Sequence, residues 1–252
     1  MAELIPAKPF RLGSEAPTFT AETTIGTIDF TEYTKGFWSV LFCYPKDFTP
    51  VSTTELAVLT KLVDEFSRRN VKVLALSTGE SLDTHKKWIK DVEEITGGVV
   101  SFPLISDASG TIAQKFNVLE SEDLEDIGSQ LSNQGHAFHT RSVFIISPQH
   151  RFRAMFNYPI SVGINTSEII RVIDCLQTAS LVGVRTPANW VPGNPVIIHP
   201  NMSDEDAEKK FPKYQTVKPY LRFTPLEPEH TSIQVALGDE PQGVSQEPPH
   251  SS

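Results

Sequence analysis

Apolar and polar positions from residue 10 to about residue 177 alternate in two different rhythms. Short runs rich in apolar and β-branched residues predict strands at residues 39–43, 71–77, 102–105 and 142–147. Residues 152–158 predict a fifth strand, which pairs antiparallel with the fourth across a turn at residues 148–151. Because longer segments separate the first four runs, the order is typical of an α/β layer with parallel strands.

Three of the longer segments have the spacing of an amphipathic helix. Residues 53–66 place an apolar stripe on one side, which suits packing on the face of a sheet. The stripe consists of Leu56, Leu59, Val63 and Phe66. A second helix is predicted at residues 82–94, and a third at residues 166–176 closes the domain.

The pattern changes beyond residue 180. Seven prolines occur from residue 187 to residue 225, and this spacing is too close for long helices or strands. Residues 227–252 are rich in Pro, Gln, Ser and Glu and poor in large apolar side chains, a composition typical of disorder. We therefore predict a first domain at residues 10–178, a small loop-rich domain at residues 179–226, and a disordered tail at residues 227–252.

Composition narrows the classes of function. The chain has 252 residues, 39% of them hydrophobic, so it can bury a sizeable core. No apolar run approaches the roughly 20 residues of a membrane-spanning helix. The net charge of -9 disfavours nucleic acid and anionic membrane surfaces, because phosphate groups are bound mainly by Lys and Arg. A small molecule or another protein is the expected partner.

The N-terminal sequence and the number of cysteines indicate the cellular compartment of the protein. The first 13 residues lack an apolar core behind a basic start, so they do not resemble a secretory signal. We expect an intracellular, cytoplasmic protein. Cys43 and Cys175 are too few for a disulfide framework and lack metal-type spacing, which predicts reduced packing residues. No cofactor or metal is expected.

Residues 44–56 lie between a predicted buried strand and a predicted helix, where free N–H groups and the helix dipole stabilise an anion. Within this segment Pro45, Thr49 and Ser52 form the pattern Pro-x-x-x-Thr-x-x-Ser. The pattern resembles the peroxiredoxin motif, with serine in place of the peroxidatic cysteine. Residues 47–56 are similar to the one-cysteine, peroxiredoxin-6-type branch of the AhpC/TSA family.

Other segments resemble the same family in the same order along the chain. They are residues 71–77, 85–88, 141–146, 158–159 and 168–171, followed by residues 186–190 and 211–225, which are most similar to fungal forms. The resemblance implies a thioredoxin-like α/β core with a small loop-rich C-terminal domain. It also implies a homodimer related by a two-fold axis.

The resemblance implies a chemistry for the site. In the family a cysteine thiolate at the helix start attacks a hydroperoxide, while a threonine hydroxyl and an arginine stabilise charge on the leaving oxygen. Carried over to this chain, Thr49 and Arg141 hold the peroxide, and Glu55 orients the arginine. Pro45 and Tyr44 help to bind the substrate, which is a hydroperoxide or another small molecule.

Ser52 stands at the catalytic position but cannot perform the redox step of the family. A hydroxyl has a pKa far above the value of about 8.5 for a thiol, and it cannot be oxidised to a sulfenic acid. Ser52 and Glu55 also match a helix-capping box, in which Ser52 accepts from a helix N–H group and Glu55 reaches back. This structural role is the alternative to a catalytic one.

Further positions depart from the one-cysteine branch, which usually has His at position 44 and a second active-site arginine at position 164. This chain has Tyr44, which occurs in other peroxiredoxins, and Ile164, which can neither donate to a peroxide nor lower a thiol pKa. The Ser, His and Asp residues of the lipase-type activity of the branch are replaced by Phe37, Thr31 and Gln149. Phospholipase activity is therefore not expected.

Three interpretations of the function stay open. The chain is a thiol peroxidase whose cysteine was exchanged for serine, so that a parent with cysteine at position 52 is active. Alternatively it is a natural pseudo-peroxidase that binds partners through the dimer surface. The third interpretation is a paralogue whose pocket performs non-redox chemistry on a metabolite, such as proton transfer or cyclisation. Ile164 favours the last two.

Overall fold

The computed structural model describes residues 10–118 and 140–226. The chain divides into two compact units between Ile173 and Asp174. This division and the predicted domain boundary at residue 178 both fall in one helix, α5 (Thr166–Val182), and the boundary stays a prediction. The tail predicted at residues 227–252 lies outside the described residues.

The described part of the first unit is built on a seven-stranded sheet with the order β2-β1-β5-β4-β3-β6-β7. The strands are β1 (Thr20–Thr23), β2 (Gly26–Asp29), β3 (Trp38–Cys43), β4 (Val71–Thr78), β5 (Leu104–Asp107), β6 (Thr140–Ile146) and β7 (Phe152–Pro159). Strands β3, β4 and β5 run parallel, and β6 lies antiparallel to β3 and β7. The helices before α5 are α1 (Phe30–Thr34), α2 (Pro50–Arg68), α3 (Leu82–Thr96) and α4 (Thr111–Lys115).

These elements confirm the α/β fold, the five predicted strands and the three predicted helices, although most of the predicted ends differ from the observed ones. The expectation that the first four strands are parallel is wrong for the fourth, because β6 pairs antiparallel with β3. Strand β5 begins two residues later than predicted, at Leu104, because Pro103 before it has no N–H group for the ladder. Helix α2 begins at Pro50, before the predicted start at residue 53. The hairpin β1–β2 and the helices α1 and α4 were not predicted, because four or five residues are too few to show a period.

One face of the sheet buries a cluster rich in phenylalanine. The ring of Phe116 lies 5.3 Å from that of Phe144 and 6.2 Å from that of Phe30, both in edge-to-face geometry. Burial of each such side chain contributes roughly 1.5–3 kcal/mol. Cys43 belongs to this cluster, and successive residues of a strand point to opposite faces. Phe42 on strand β3 therefore points to the other face, toward helix α2.

The described part of the second unit has its own four-stranded sheet with the order β10-β11-β9-β8. Its elements are β8 (Val184–Arg185), β9 (Val196–Ile198), α6 (Asp204–Lys210), β10 (Gln215–Lys218) and β11 (Leu221–Thr224). A small apolar cluster surrounds the buried Trp190, whose indole N–H donates to the carbonyl of Asn194 at 2.8 Å. These short elements agree with a loop-rich C-terminal region.

No helix within residues 10–118 and 140–226 combines the length and the apolar character that a membrane crossing requires.

Candidate active site

Helix α2 begins at the end of the loop that follows strand β3. Its N-cap residue is Thr49, whose backbone is extended and whose side chain makes no capping hydrogen bond. Pro50 takes the first helical position, which suits proline because its φ is already helical and no N–H group is needed there. The predicted capping box is therefore wrong: Ser52 lies inside the first turn, and Glu55 does not reach back to an N-cap residue.

The hydroxyl of Ser52 is the meeting point of the predicted site residues. It accepts a hydrogen bond from Oγ1 of Thr49 at 2.8 Å and another from Nη1 of Arg141 at 3.2 Å. Ser52 is only 1% exposed. Arg141 and the Thr49 hydroxyl, whose single proton is also within reach of the Lys46 carbonyl at 2.9 Å, therefore meet at one buried oxygen near the positive end of a helix, which is an arrangement suited to an anion.

Arg141 reaches this point from strand β6, because residues 142 and 43 are paired in the antiparallel ladder of β6 and β3. The guanidinium also donates from Nη1 to Oε2 of Glu55 at 2.8 Å and from Nε to the carbonyl of Ile160 at 3.1 Å. Burial lowers the pKa of Arg141, and the Glu55 carboxylate opposes this shift. The arginine is thus held by a buried ion pair and a carbonyl while it faces Ser52.

Glu55 is bonded through both of its carboxylate oxygens. Oε2 accepts from Arg141, and Oε1 accepts from the backbone N–H of Ile164 at 2.9 Å. Burial raises the pKa of Glu55, while the hydrogen bond from the Ile164 N–H group and the charge of Arg141 lower it and so oppose part of the shift. The geometry agrees with the expected orienting contact between Glu55 and the arginine.

A narrow pocket with a cavity volume of only about 10 Å³, room for about one water molecule, lies at Ser52. It is lined by Phe42, Tyr44, Ser52, Glu55, Leu56, Leu59, Ala75 and Ile164. Pro45 is buried beside Tyr44 in the same loop but is not among the lining residues. The lining is mostly apolar, and its polar side chains are those of Tyr44, Ser52 and Glu55.

Asp47 and His85 belong to the surroundings of the site, although sequence reasoning gave neither a role. The Tyr44 hydroxyl donates to Oδ1 of Asp47 at 2.9 Å, and Nδ1 of His85 lies 2.6 Å from Oδ2 of Asp47. Burial and the Asp47 charge raise the pKa of Tyr44. The available sequence signal was the buried stripe of helix α3, on which His85 lies one turn before Trp88.

Cys43 faces away from the pocket. It is fully buried in the phenylalanine-rich cluster, and burial followed by the nearby Asp107 charge raises the pKa of its thiol. A thiolate at this position is therefore strongly disfavoured. Among residues 10–118 and 140–226, no group of three His, Cys, Asp or Glu side chains could hold a metal ion.

Comparisons with known proteins show the family of the chain. The AhpC/TSA family model matches residues 12–155, and a model of the C-terminal domain of 1-Cys peroxiredoxin matches residues 176–213. The mitochondrial peroxiredoxin PRX1 of Saccharomyces cerevisiae is 45% identical over 215 residues, covering 85% of this chain and 80% of that protein. Peroxiredoxin-6 of Gallus gallus is 40% identical over 224 residues, covering 85% of this chain and 96% of that protein.

Two solved structures are similar along most of the chain. A structure of the yeast mitochondrial 1-Cys peroxiredoxin, whose thiol is resolved via glutathione/thioredoxin systems, has a TM-score of 0.77 and 41% identity, covering 86% of this chain and all (100%) of that one. A cysteine-to-serine mutant of the peroxiredoxin 6 of Arenicola marina has a TM-score of 0.78 and 36% identity, covering 87% of this chain and 100% of that one.

Proposed function

Since the chain belongs to the AhpC/TSA family and carries the C-terminal domain of its one-cysteine peroxiredoxins, we propose that it is a thiol-peroxidase scaffold with Ser52 at the nucleophile position. In this form it is inactive or weak as a peroxidase. The observation that carries the proposal is the convergence of Thr49 Oγ1 and Arg141 Nη1 on the Ser52 oxygen. A cationic donor and a hydroxyl at one buried atom are what a reacting anion requires.

The reaction of such a scaffold can be written for a sulfur atom at position 52. A thiolate attacks the terminal oxygen of a hydroperoxide, an S–O bond forms and the O–O bond breaks. Sulfur loses two electrons to the peroxide, and the leaving alkoxide takes up a proton while sulfur becomes a sulfenic acid. Thr49 and Arg141 would stabilise the negative charge as it moves from sulfur to the leaving oxygen.

Peroxide assays test the inactivity directly. We expect the purified protein to reduce hydrogen peroxide no faster than a sample whose thiols have been blocked, because position 52 has no sulfur and the Cys43 thiol is fully buried. The measurement is peroxide consumption under single-turnover conditions. Rapid stoichiometric consumption accompanied by oxidation of Cys43 would contradict the proposal.

A second candidate is non-redox catalysis in the same pocket. Ile164 lines the pocket where the resemblance expects a second arginine, so two positions have departed from peroxidase chemistry. Glu55 also lines the pocket, and burial raises the pKa of its carboxyl group, as is common for general acid–base residues. Proton transfer on a small metabolite is the reaction class that these two features favour. A pseudo-peroxidase that only binds partners is the remaining alternative.

The protein is proposed to form a homodimer, as the resemblance to the one-cysteine branch implies. Static light scattering at micromolar concentration should give a mass of about twice 28.0 kDa. A single species with the mass of one chain would argue against the dimer, and it would also weaken the interpretation as a binding scaffold.

The proposed partner is a hydroperoxide or another small molecule, and not nucleic acid or a membrane. The yeast relative resolves its thiol via glutathione/thioredoxin systems, but this chain would need such a reductant only with cysteine at position 52, because serine forms no sulfenic acid. The cytoplasm is the proposed compartment, and the mitochondrion, in the name of the yeast relative, is the alternative.

A further inference from the structure

A buried chain of hydrogen bonds ties the loop between β3 and α2 to two distant elements. From Asp47 it runs to His85, 38 residues further along the chain, at 2.6 Å. From Nε2 of His85 it continues to the carbonyl of Ile105 on strand β5, at 3.2 Å. In the other direction the Tyr44 hydroxyl donates to Asp47. The loop is thereby attached to helix α3 and to the sheet through a single carboxylate.

The chain of bonds leaves little freedom for the protons. The Ile105 carbonyl can only accept, so Nε2 of His85 carries a hydrogen. One proton is then shared between Nδ1 of His85 and Oδ2 of Asp47. The Tyr44 hydroxyl points its single proton at Oδ1 of Asp47, and it therefore does not donate to Ser52 or to a ligand in the pocket.

Burying this pair of ionisable side chains costs folding free energy. Asp47 is 2% exposed and His85 is fully buried. Glu80 is also buried nearby, and burial followed by the Asp47 charge raises its pKa. Buried charges of this kind are weak evidence for stability, because well-packed apolar residues often do as well. The alternative explanation for the buried Asp47–His85 pair is that it positions the loop between β3 and α2.

The backbone of this loop is strained at Phe48. Phe48, directly between Asp47 and Thr49, has a φ of 54°, in the left-handed region that a bulky residue rarely adopts. Such a conformation persists only when its surroundings enforce it. Asp47 anchors one side of Phe48, and on the other side Thr49 places its hydroxyl 2.8 Å from Ser52. The anchored residue is thus two positions from the group that contacts the reacting atom.

We propose that Asp47 and His85 are positioning residues for the reaction at position 52. Their hydrogen bonds hold Tyr44 against the pocket wall and hold the strained loop so that Thr49 faces the reacting atom. The assignment deepens the proposed function and rests on it for the reaction, whereas the placement of the loop can be tested without any catalysis.

Asparagine provides a conservative replacement for Asp47. Its carbonyl oxygen can accept from the Tyr44 hydroxyl, and its NH₂ group can donate to Nδ1 of His85, while Nε2–H of His85 still donates to Ile105. Asp47→Asn therefore keeps all three bonds without the charge. Asp47→Ala removes two of them. Asp107→Ala is a matched control, because Asp107 is 3% exposed and its carboxylate accepts from the Ala113 N–H at the start of helix α4 rather than from a group of the loop.

Amide hydrogen exchange on the unaltered Ser52 background tests the positioning. We expect Asp47→Ala to accelerate exchange at residues 46–53 by about tenfold or more relative to Asp107→Ala, and Asp47→Asn to stay within about threefold of the parent protein. Equal exchange at residues 46–53 in Asp47→Ala and Asp107→Ala, or an Asp47→Asn variant as fast as Asp47→Ala, would overturn the assignment. If Asp47→Ala does not fold, His85→Ala replaces it in the test. This variant removes the link to helix α3 but keeps the bond between Tyr44 and Asp47, and we expect the same acceleration of exchange at residues 46–53.

The reaction is tested by placing the same variants on Ser52→Cys. We expect Asp47→Ala to lower the rate constant for peroxide about 10- to 100-fold through misplacement of Thr49, and Asp47→Asn to restore most of it. Equal rates in Asp47→Ala and Asp107→Ala would overturn the assignment. If Ser52→Cys itself has no activity, the proposed function fails, and the exchange comparison still decides whether Asp47 and His85 position the loop.

Discussion

Ser52→Cys should produce a weak but measurable peroxidase, and adding Ile164→Arg should raise its rate further. The new thiol would lie at the start of helix α2 with Arg141 Nη1 directed at it, and both features favour the thiolate. Ile164 withholds one of the two cationic donors that the resemblance implies, and loss of one such donor typically costs on the order of 100-fold in rate. The Ile164 N–H bond to Glu55 involves the backbone and does not depend on the side chain.

Stopped-flow measurement of peroxide reduction by both variants separates an enzyme whose cysteine was exchanged from a protein whose pocket has diverged. Ser39→Cys is the matched control, because Ser39 is as buried as Ser52 but is not among the residues that line the pocket. This control should be inactive. If Ser52→Cys alone is as fast as an ordinary peroxiredoxin, Ile164 is harmless and the exchanged-cysteine interpretation holds. If neither variant reacts, the peroxidase proposal fails and non-redox chemistry becomes the leading interpretation.

Arg141→Gln should damage both the chemistry and the stability. On the Ser52→Cys background it removes a donor from the reacting atom, and we expect a loss of about 100-fold or more in the rate. In the unaltered chain it leaves the buried Glu55 carboxylate without its cation. Breaking a buried pair by removing one partner costs about 3–5 kcal/mol. Denaturant unfolding measures the second effect independently of the first.

Two comparisons show whether the stability loss comes from the Arg141–Glu55 pair. The double variant Arg141→Gln with Glu55→Gln should recover part of the stability, because no uncompensated charge stays buried. Arg222→Gln removes a similarly buried arginine, 4% exposed and paired with Asp204, from the second unit. It should lower stability without the loss of rate that Arg141→Gln causes on the Ser52→Cys background. Equal loss of rate in Arg141→Gln and Arg222→Gln would refute the role of Arg141.

The α/β order of the first unit was readable from the sequence because periodicity is a local property. The apolar stripe of helix α2 and the apolar runs of β3 and β4 need no knowledge of distant residues to be recognised. Residues 44–56 were found for the same reason, since strand, loop and helix start are consecutive there. The short hairpin β1–β2 carries no period of its own; its strands pair with each other, and Thr23 of β1 pairs with Ile105 of β5.

Which partner each polar side chain takes was decided by the tertiary structure. The sequence of helix α2 allowed Glu55 to complete a capping box, but the folded chain brings Arg141 from β6 and the Ile164 N–H group to it instead. A buried carboxylate is satisfied more fully by a cation and a backbone donor than by an exposed helix end. Arg141 and Ser52 are 89 residues apart, and Asp47 and His85 are 38 apart, so no local pattern could pair them.

The sequence by itself therefore determined the fold class, the location of the candidate site and the presence of serine at position 52. These depend on consecutive residues and on the chemistry of single side chains. Only the tertiary structure determined that Thr49 and Arg141 meet at the Ser52 oxygen, that Glu55 pairs with the arginine, and that Asp47 lies within hydrogen-bond distance of His85. Such contacts depend on how β6, α3 and β5 pack around the loop, because burial forces each polar group to find a partner among the elements brought next to it.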